Sequence, residues 1–265
     1  MTKTPEEIAL MAEAGRLLAS VFTHLDGLAL QGMSTLEIND RVEAFIVDEL
    51  KARPASKGQY GYGFVLNSSR NQVVCHGVPS SDDVLADGDI VNLDITLEKN
   101  GFIADSSKTY LVGAVPAAAR RLARTTYQAM WKGIDAVRPG ARLGDIGHAI
   151  ESHARRAGYS VVRDYCGHGI GREMHEDPQV LHFGRPGTGL TLREGMVFTI
   201  EPMLNQGGRA VRTLDDGWTV VTADGRLSAQ FEHTVAVTKG GARVLTLRPE
   251  EASRARQDGP GQFAA

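Results

Sequence analysis

The chain has 265 residues, 42% of them apolar, and its 29 basic and 32 acidic residues give a net charge of −3. This length suits one large domain or two small ones with a substantial core. The charge balance excludes a general attraction to nucleic acid or to an anionic membrane, and no apolar run approaches the roughly 18 residues that a membrane span needs. Two cysteines, Cys75 and Cys166, favour reduced thiols in the cytoplasm over a disulfide framework.

The first 50 residues predict two helices. Thr4 is the expected N-cap of the first helix, with Pro5 as its first residue and Glu7 as the capping-box partner. We therefore interpret the N-terminus as a helix start and not as a signal peptide. Gly32 precedes the second helix, and apolar residues recur in both segments at close to 3.6 residues per turn.

Apolar runs and turn residues predict the remaining elements. A loop rich in glycine, serine and tyrosine is expected at 54–64, and the tail at 249–265 is polar and expected to be frayed. Two further helices are predicted at about 117–137 and 143–157. Strands are predicted at 72–75, 89–97, 102–112, 160–164, 196–204, 218–222 and 228–238.

An internal repeat relates the two halves of the chain. The segment at 85–94 aligns without gaps on 192–201, so that a leucine, an acid, a glycine, an apolar run and a terminal acid recur at an offset of 107. The helix openings at Gly32 and Gly140 recur at nearly the same interval. We interpret residues 1–248 as a single domain with pseudo-symmetric halves, about 1–115 and 116–248.

Four acidic residues lie inside apolar, strand-like runs: Asp94, Asp105, Glu201 and Glu232. A carboxylate in such a place is costly unless a cation or hydrogen bonds offset its charge. Two divalent metal ions would balance the four negative charges. Oxygen-rich ligation with histidine suits manganese, iron, cobalt or zinc and does not choose among them.

The dipeptide Asn100-Gly101 predicts a hairpin between the strands that carry Asp94 and Asp105. A two-residue loop pairs Asp94 with Ser107 and leaves Asp105 diagonally beside it, whereas a four-residue loop places the two acids directly opposite each other. Either loop puts both carboxylates on one face of the sheet. Their apolar neighbours favour a buried site over a solvent-facing edge.

Two histidines, His168 and His175, lie seven residues apart in a glycine-rich segment. Glycine permits the close backbone approach that a metal or substrate site needs, although one of these histidines fits a core position equally well. Taken alone, Glu232 favours a half-exposed strand on which Gln230, Glu232 and Thr234 face water. Only the other three acids make Glu232 a candidate ligand.

These residues, in this order, resemble the type I methionine aminopeptidases, which are metallopeptidases of the M24 family. The resemblance extends from Thr4 to about residue 240. It implies the α+β pita-bread fold, with two helix–helix–sheet halves around a central antiparallel sheet. The motifs that carry it are NQVVCHGVP at 71–79, DGDIVNLD at 87–94, GHGIG at 167–171, HEDP at 175–178 and FTIEP at 198–202.

The resemblance implies an enzyme that removes the N-terminal methionine from nascent proteins and peptides, as a cytoplasmic monomer with two divalent metal ions. Glu201 would move the proton, His175 would stabilise the oxyanion and His76 would contact the scissile amide. The implied metal ligands are Asp94, Asp105, His168, Glu201 and Glu232, with Asp105 and Glu232 bridging.

The implied substrate pocket and its surroundings depart from the family in three places: Asn67, Met174 and the loop at 59–64, whose sequence QYGYGF differs from the usual version with tyrosine and proline. Asn67 stands where many type I members carry a second cysteine, and Met174 stands where an aromatic residue is common. An amide in a pocket for a thioether predicts weaker discrimination for methionine. The implied pocket residues are Tyr62, Asn67, Cys75, His76, Met174, His175 and Trp218.

Two alternatives share the fold. An X-Pro dipeptidase or aminopeptidase has the same ligand set but usually carries a separate N-terminal domain, which we do not expect here. A non-catalytic relative that binds peptides would have lost ligands, whereas this chain keeps all five candidates together with His76 and His175.

Overall fold

Four α-helices occur in two pairs within residues 2–255, the part of the chain that the computed structural model describes. The first pair is α1 (Pro5–Asp26) and α2 (Thr35–Ala44), which continues as a π-helical turn at Phe45–Glu49. The second pair is α3 (Ala117–Asp135) and α4 (Leu143–Arg156). All four helices were predicted, and the capping box of Thr4 and Glu7 is present at the start of α1.

The paired strands are antiparallel. Most of them are short, and the two strands of one hairpin have ten residues each. Two 3-10 turns, at Gln59–Gly61 and Pro249–Ala255, complete the described residues. The strands in chain order are β1 (Arg53–Pro54), β2 (Leu66–Arg70), β3 (Val73–Cys75), β4 (Ile90–Lys99), β5 (Phe102–Leu111), β6 (Ser160–Val161), β7 (Gly167–Gly169), β8 (Glu176–Val180), β9 (Val197–Ile200), β10 (Met203–Asn205), β11 (Val211–Thr213), β12 (Val220–Thr222), β13 (Ser228–Gln230), β14 (His233–Thr238) and β15 (Gly241–Val244).

These strands form four sheets in the described part of the chain. β4 pairs with β1, β2 and β5, and a second sheet has the order β15-β14-β9-β7-β8. Two three-stranded sheets have the orders β13-β10-β6 and β11-β12-β3. The predicted α+β class is confirmed. Strand β2 was not predicted, because its sequence LNSSR lacks the alternation of apolar and polar residues that indicates a strand.

The β4–β5 hairpin has the two-residue loop. Asn100 and Gly101 have φ values of +56° and +78°, which the mirror-image turn of a two-residue hairpin requires. Asp94 therefore lies opposite Ser107. Asp105 lies two residues before Ser107 on β5, and residues two apart on a strand point to the same face. The four-residue alternative is wrong, and both carboxylates occupy one face of the sheet.

The chain breaks two strands where it carries the other two acids. β9 ends just before Glu201 and β13 ends two residues before Glu232, although continuous strands were predicted at 196–204 and 228–238. β14 pairs with β9 and β13 pairs with β10, so the two breaks lie side by side. Pro202 lacks a donor for the ladder, and the Glu232 N–H donates to the Ser107 carbonyl (3.1 Å). Pro202, directly after Glu201, predicts the first break and leaves Glu201 at a strand end, whereas the prediction of one continuous strand at 228–238 is wrong.

Each helix pair packs on its own sheet strands. Buried apolar residues of α1 and α2 form one cluster with residues of β2, β4 and β5. Buried residues of α3 and α4 form another with residues of β9, β13 and β14. The helices thus cover the outer faces of the strands that carry the acids or lie next to them, and burial of these apolar faces is the main stabilising contribution.

The repeated segments share their local hydrogen bonds. The Gly32 N–H donates to the Leu85 carbonyl (2.8 Å), and the Gly140 N–H donates to the Leu192 carbonyl (3.0 Å). The glycine three residues after each leucine has a positive φ, +92° in the first half and +88° in the second. This correspondence supports the division into two halves, whose boundaries we continue to propose at about 1–115 and 116–248.

The C-terminal segment is better ordered than predicted up to residue 252. Arg248 directly precedes the Pro249–Ala255 turn, and Glu251 lies within it. The two residues are only 1% and 2% exposed, and they hydrogen-bond to each other. The prediction of a frayed tail from residue 249 is therefore wrong for this stretch. Residues 256–265 of the predicted tail lie outside the described residues.

Helix α1 is long and apolar enough to cross a membrane by length and composition alone, so the expectation that no segment approaches this limit is wrong. Less than half of its most apolar window is buried inside the protein. This is weak evidence for a span, because core helices of soluble proteins and signal sequences pass the same test. The buried residues of α1, among them Leu18 and Phe22, pack on the first sheet.

We expect Leu18→Ala to lower the free energy of unfolding by about 2–5 kcal/mol, because it leaves a cavity between α1 and the sheet. The matched control is Leu10→Ala in the same helix, where the side chain is exposed. We expect the control to change stability by less than about 0.5 kcal/mol. Urea denaturation followed by circular dichroism measures both, and equal losses would contradict the packing described.

Candidate metal centre

A cavity of about 640 Å³ is lined by all of the residues that the sequence predicts for the site. They come from distant segments, and the sheet strands bring them together. These residues are Tyr62, Asn67, Cys75, His76, Asp94, Asp105, His168, Met174, His175, Glu201, Trp218 and Glu232.

The four acids and His168 form one cluster at the floor of this cavity. The His168 Nε2 atom lies 3.7 Å from Asp105 Oδ2 and 3.6 Å from Glu201 Oε1. Ligand atoms of Asp105, His168 and Glu232 all lie within 4.8 Å of one another.

Burial and mutual repulsion raise the pKa of every acid in the cluster. Burial raises the pKa of Asp94 to about 7 and that of Glu201 to about 8. Burial, with added repulsion from neighbouring carboxylates, raises the pKa of Asp105 and of Glu232 well above their usual range. Nothing else in the cluster balances four negative charges, so a bound cation would reverse these shifts.

The donor set fits a divalent metal ion. Asp105 Oδ1 and Glu232 Oε1 are buried oxygens without a hydrogen-bond partner. Burial lowers the pKa of His168 to about 4, so its imidazole is neutral and can donate a lone pair at neutral pH. Oxygen ligands with one imidazole suit manganese, iron, cobalt or zinc.

Three residues that were not predicted hold Glu201 in place. The Thr199 hydroxyl donates to Glu201 Oε1 (2.7 Å) and accepts from the His168 N–H (2.9 Å). Gln230 Nε2 donates to Glu201 Oε2 (3.3 Å), and the Glu201 N–H donates to His182 Nε2 (3.2 Å). The contact of Thr199 with Glu201 could have been predicted, because residues two apart on a strand share a face. His182 has no comparable sequence signal.

The water-facing arrangement considered for Glu232 is wrong. Glu232, Gln230 and Thr234 are each only 1% exposed. A continuous half-exposed strand would alternate between buried and water-facing side chains. This alternation fails because the chain breaks at Glu232 and because both flanking strands are buried on both faces.

Two histidines outside the cluster, His76 and His175, face the same cavity. The His175 ring lies 4.5 Å from that of His168, centroid to centroid, and it also stacks with the exposed Tyr60 at 6.1 Å. Burial lowers the pKa of His175 and of His76, so both are neutral at neutral pH. Tyr60 was not predicted, since an exposed aromatic residue in a loop carries no sequence signal.

A close approach of two backbone segments sets the position of His76. Its φ of +56° is a left-handed conformation that few residues other than glycine adopt. A Cβ at the following residue, Gly77, would collide with the Ser68 carbonyl. Glycine there lets the loop lie against β2 with His76 turned toward the cavity and its ring 5.3 Å from that of Tyr165.

One wall of the cavity is aromatic. The rings of Tyr62 and Trp218 are 4.9 Å apart, and the Tyr62 hydroxyl donates to the Leu66 carbonyl (2.9 Å). Asp216 accepts from the Trp218 N–H (2.9 Å), which fixes the loop that carries the indole. Asn67 pairs with Asp94 across β2 and β4, so its amide lies between this wall and the acids.

Residues 9–239 match the family model of the metallopeptidase family M24. The chain belongs to this family of metallopeptidases. It is 48% identical to methionine aminopeptidase B of Synechocystis over 246 residues. This aligned region covers 91% of this chain and 89% of that protein. It is 47% identical over 249 residues to methionine aminopeptidase of Escherichia coli, covering 94% of each chain.

Solved structures agree with the sequence matches. Methionine aminopeptidase from Rickettsia prowazekii superposes with a TM-score of 0.91 at 47% identity, over 93% of this chain and 99% of that one. The Xaa-Pro dipeptidase from Bacillus anthracis superposes with a TM-score of 0.74 at 24% identity. The superposition covers 94% of this chain but 62% of the dipeptidase, and it shows a shared fold alone. The predicted pita-bread fold is confirmed.

We expect the metal-free protein to lose stability as the pH rises from about 7 to about 8. Asp94 and Glu201 have folded-state pKa values of about 7 and about 8, above the values of about 4 in an unfolded chain. Below its folded pKa, each group holds a proton in the folded state that it has released in the unfolded state, so it makes the free energy of unfolding fall by about 1.4 kcal/mol per pH unit. This contribution levels off as the pH passes the folded pKa.

Thermal denaturation of chelator-treated protein across this range measures the effect. Histidines do not oppose it there, since their unfolded pKa is about 6.5 and burial lowers the folded values. We expect added Mn²⁺ to abolish the slope and Asp94→Asn to reduce it. A slope that neither change alters would contradict the description of the cluster.

Proposed function

We infer that this chain is a methionine aminopeptidase, which hydrolyses the peptide bond after the N-terminal methionine of proteins and peptides. The observation that carries this inference is the single cavity that holds the buried acid cluster beside the aromatic wall of Tyr62 and Trp218. Relatives of that name, 47–48% identical over more than nine tenths of the chain, support it.

We propose that the residues of the cluster would hold two divalent ions. Such ions, when bound, polarise a substrate carbonyl and lower the pKa of a bound water. Manganese, iron, cobalt and zinc all suit these donors. The proposed ligands are Asp94, Asp105, His168, Glu201 and Glu232.

Glu201 is the proposed proton carrier. Thr199 and Gln230 hold its two carboxylate oxygens from opposite sides, so the group keeps one orientation while its protonation changes. The carboxyl can therefore accept a proton and return it to the leaving amine.

His175 and His76 are the proposed donors to the reacting amide. Both are neutral and face the cavity, so each can donate one ring N–H. Donation from His175 to the carbonyl oxygen would stabilise the negative charge that develops there. The methionine side chain would lie against the aromatic wall, with Cys75 and Met174 closing the pocket and Asn67 beside it.

The alternatives receive less support. The X-Pro dipeptidase structure matches at 24% identity, and this chain covers 62% of its length. A non-catalytic binding role does not explain why unpartnered carboxylate oxygens of Asp105 and Glu232 lie buried at one point.

We extend the proposal to the cell. The expected substrates are nascent chains, so the expected location is the cytoplasm, and the free cysteines Cys75 and Cys166 are compatible with it. We propose a monomer that binds neither nucleic acid nor membrane stably. The net charge of −3 supports the first of these two exclusions.

The function is tested with metal-stripped protein to which manganese, cobalt or iron is added. Met-Ala-Ser, Leu-Ala-Ser and Ala-Pro-Ala are offered side by side, and the released amino acid is quantified. We expect release of methionine from Met-Ala-Ser, and release from Leu-Ala-Ser would show that Asn67 and Met174 relax the pocket. Preference for Ala-Pro-Ala would reassign the substrate, and no release with any metal would exclude the enzyme.

We expect His175→Ala to lower kcat by about 10²–10³-fold, which is typical for the loss of one oxyanion donor. Metal content, measured by atomic emission, should stay unchanged, because His175 is not among the proposed ligands. His148→Ala is the matched control, since His148 is exposed on α4 and does not line the cavity. A variant with full turnover would remove His175 from the reaction.

A further inference from the structure

A buried ion pair lies behind the metal centre, on the side away from the cavity. Arg248 and Glu251 are both almost fully buried, and Arg248 Nη2 donates to Glu251 Oε1 (2.8 Å). The other oxygen of Glu251 lies 3.0 Å from His233 Nε2. Burial alone would raise the pKa of Glu251, but Arg248 and His233 hold this pKa well below its usual range. The Glu251 carboxylate is therefore charged.

This pair contacts the residues that directly follow two of the proposed ligands. Arg248 Nη1 donates to the Ser106 hydroxyl (3.1 Å) and to the Ser107 carbonyl (3.3 Å). The Ser106 hydroxyl in turn donates to the Glu232 carbonyl (2.7 Å). Neighbouring residues of extended chain point to opposite sides, so Asp105 faces the cavity while Ser106 faces Arg248.

A second set of hydrogen bonds joins the same C-terminal segment to the same place. Thr246 Oγ1 accepts from the Thr234 N–H (3.1 Å) and lies 3.0 Å from His233 Nδ1. The Thr234 hydroxyl donates to the Asp105 carbonyl (2.8 Å). Residues 246–251 therefore tie the backbone beside Asp105 to the backbone beside Glu232.

Stability alone gives a weak reason for this arrangement. Replacing a buried ion pair by apolar residues of similar volume is often neutral or stabilising, because the charges lose their hydration. Nη1 of the guanidinium instead reaches two oxygens on one strand while Nη2 is held by Glu251, a fixed geometry that an apolar residue cannot provide. The strand break at Glu232 leaves this backbone without a regular ladder, so other hydrogen bonds must set its position.

We propose that Arg248, held by Glu251, is a positioning residue for the metal centre. It fixes the backbone at Ser106 and, through the Ser106 hydroxyl, the backbone at Glu232, and thereby sets how far apart Asp105 and Glu232 stand. The inference rests on the proposed function, since it takes those two acids as metal ligands.

The test compares metal-stripped Arg248→Met, Arg248→Lys and Ser106→Ala with the unchanged protein. Mn²⁺ affinity and stoichiometry are measured by titration calorimetry, and kcat and KM are measured on Met-Ala-Ser. Circular dichroism establishes that each protein is folded at the assay temperature. The matched control is Arg243→Met, because Arg243 is exposed on β15, close to Arg248 in the sequence.

We expect Arg248→Met to weaken Mn²⁺ binding by about 10–100-fold, the usual effect of removing a partner that orients a metal ligand. We expect kcat to fall with KM nearly unchanged, because the substrate pocket is not touched, and Arg248→Lys to restore part of the loss. Ser106→Ala removes one hydroxyl and keeps the fold, and we expect about 3–10-fold weaker binding from it. The control should match the unchanged protein.

Folded Arg248→Met and Ser106→Ala proteins with unchanged Mn²⁺ affinity and kcat would overturn the proposal. If Arg248→Met fails to fold, Ser106→Ala alone decides by the same criteria. Asp105→Asn separates this result from the proposed function. If Asp105→Asn binds Mn²⁺ fully, the ligand assignment itself is wrong; if Asp105→Asn loses metal while Arg248→Met and Ser106→Ala do not, only the positioning role is wrong.

Discussion

Mutual repulsion among four carboxylates in one buried place is the constraint on which the rest of the structure depends. Asp94, Asp105, Glu201 and Glu232 would separate or become protonated if the chain were free to move. They come from four different strand segments, and two helix-covered sheets hold those segments together. The apolar clusters of the two halves thus hold the four acids close together, where protonation or a bound cation relieves their repulsion.

Local patterns in the sequence predicted the first pair of acids correctly. Asn100-Gly101 sets the loop, and the two-residue period of a strand then places Asp94 and Asp105 on one face. The burial of Glu232 was not predictable in the same way. It depends on a hydrogen bond from its N–H to the carbonyl of Ser107, 125 positions earlier, and on a break next to that of Glu201. Such long-range contacts leave no periodic signal.

The contacts around the acids show the same difference. Thr199 follows from strand alternation, whereas His182 and Gln230 reach Glu201 through a fold that local sequence does not specify. The substrate side is coupled to the metal side by register, because Asn67 is the direct cross-strand neighbour of Asp94. A change of side chain at Asn67 therefore acts on a proposed ligand as well as on the pocket.

The contacts of Arg248 have a consequence for the order in which the molecule matures. All five proposed ligands precede residue 233, yet the hydrogen bonds that brace two of them come from residues 246–251. A chain under synthesis therefore exposes a complete set of acids before it acquires their support. Metal capture by the growing chain would meet a loose, adaptable site, and the selective geometry would be established only once residues 246–251 have been added and have folded onto it.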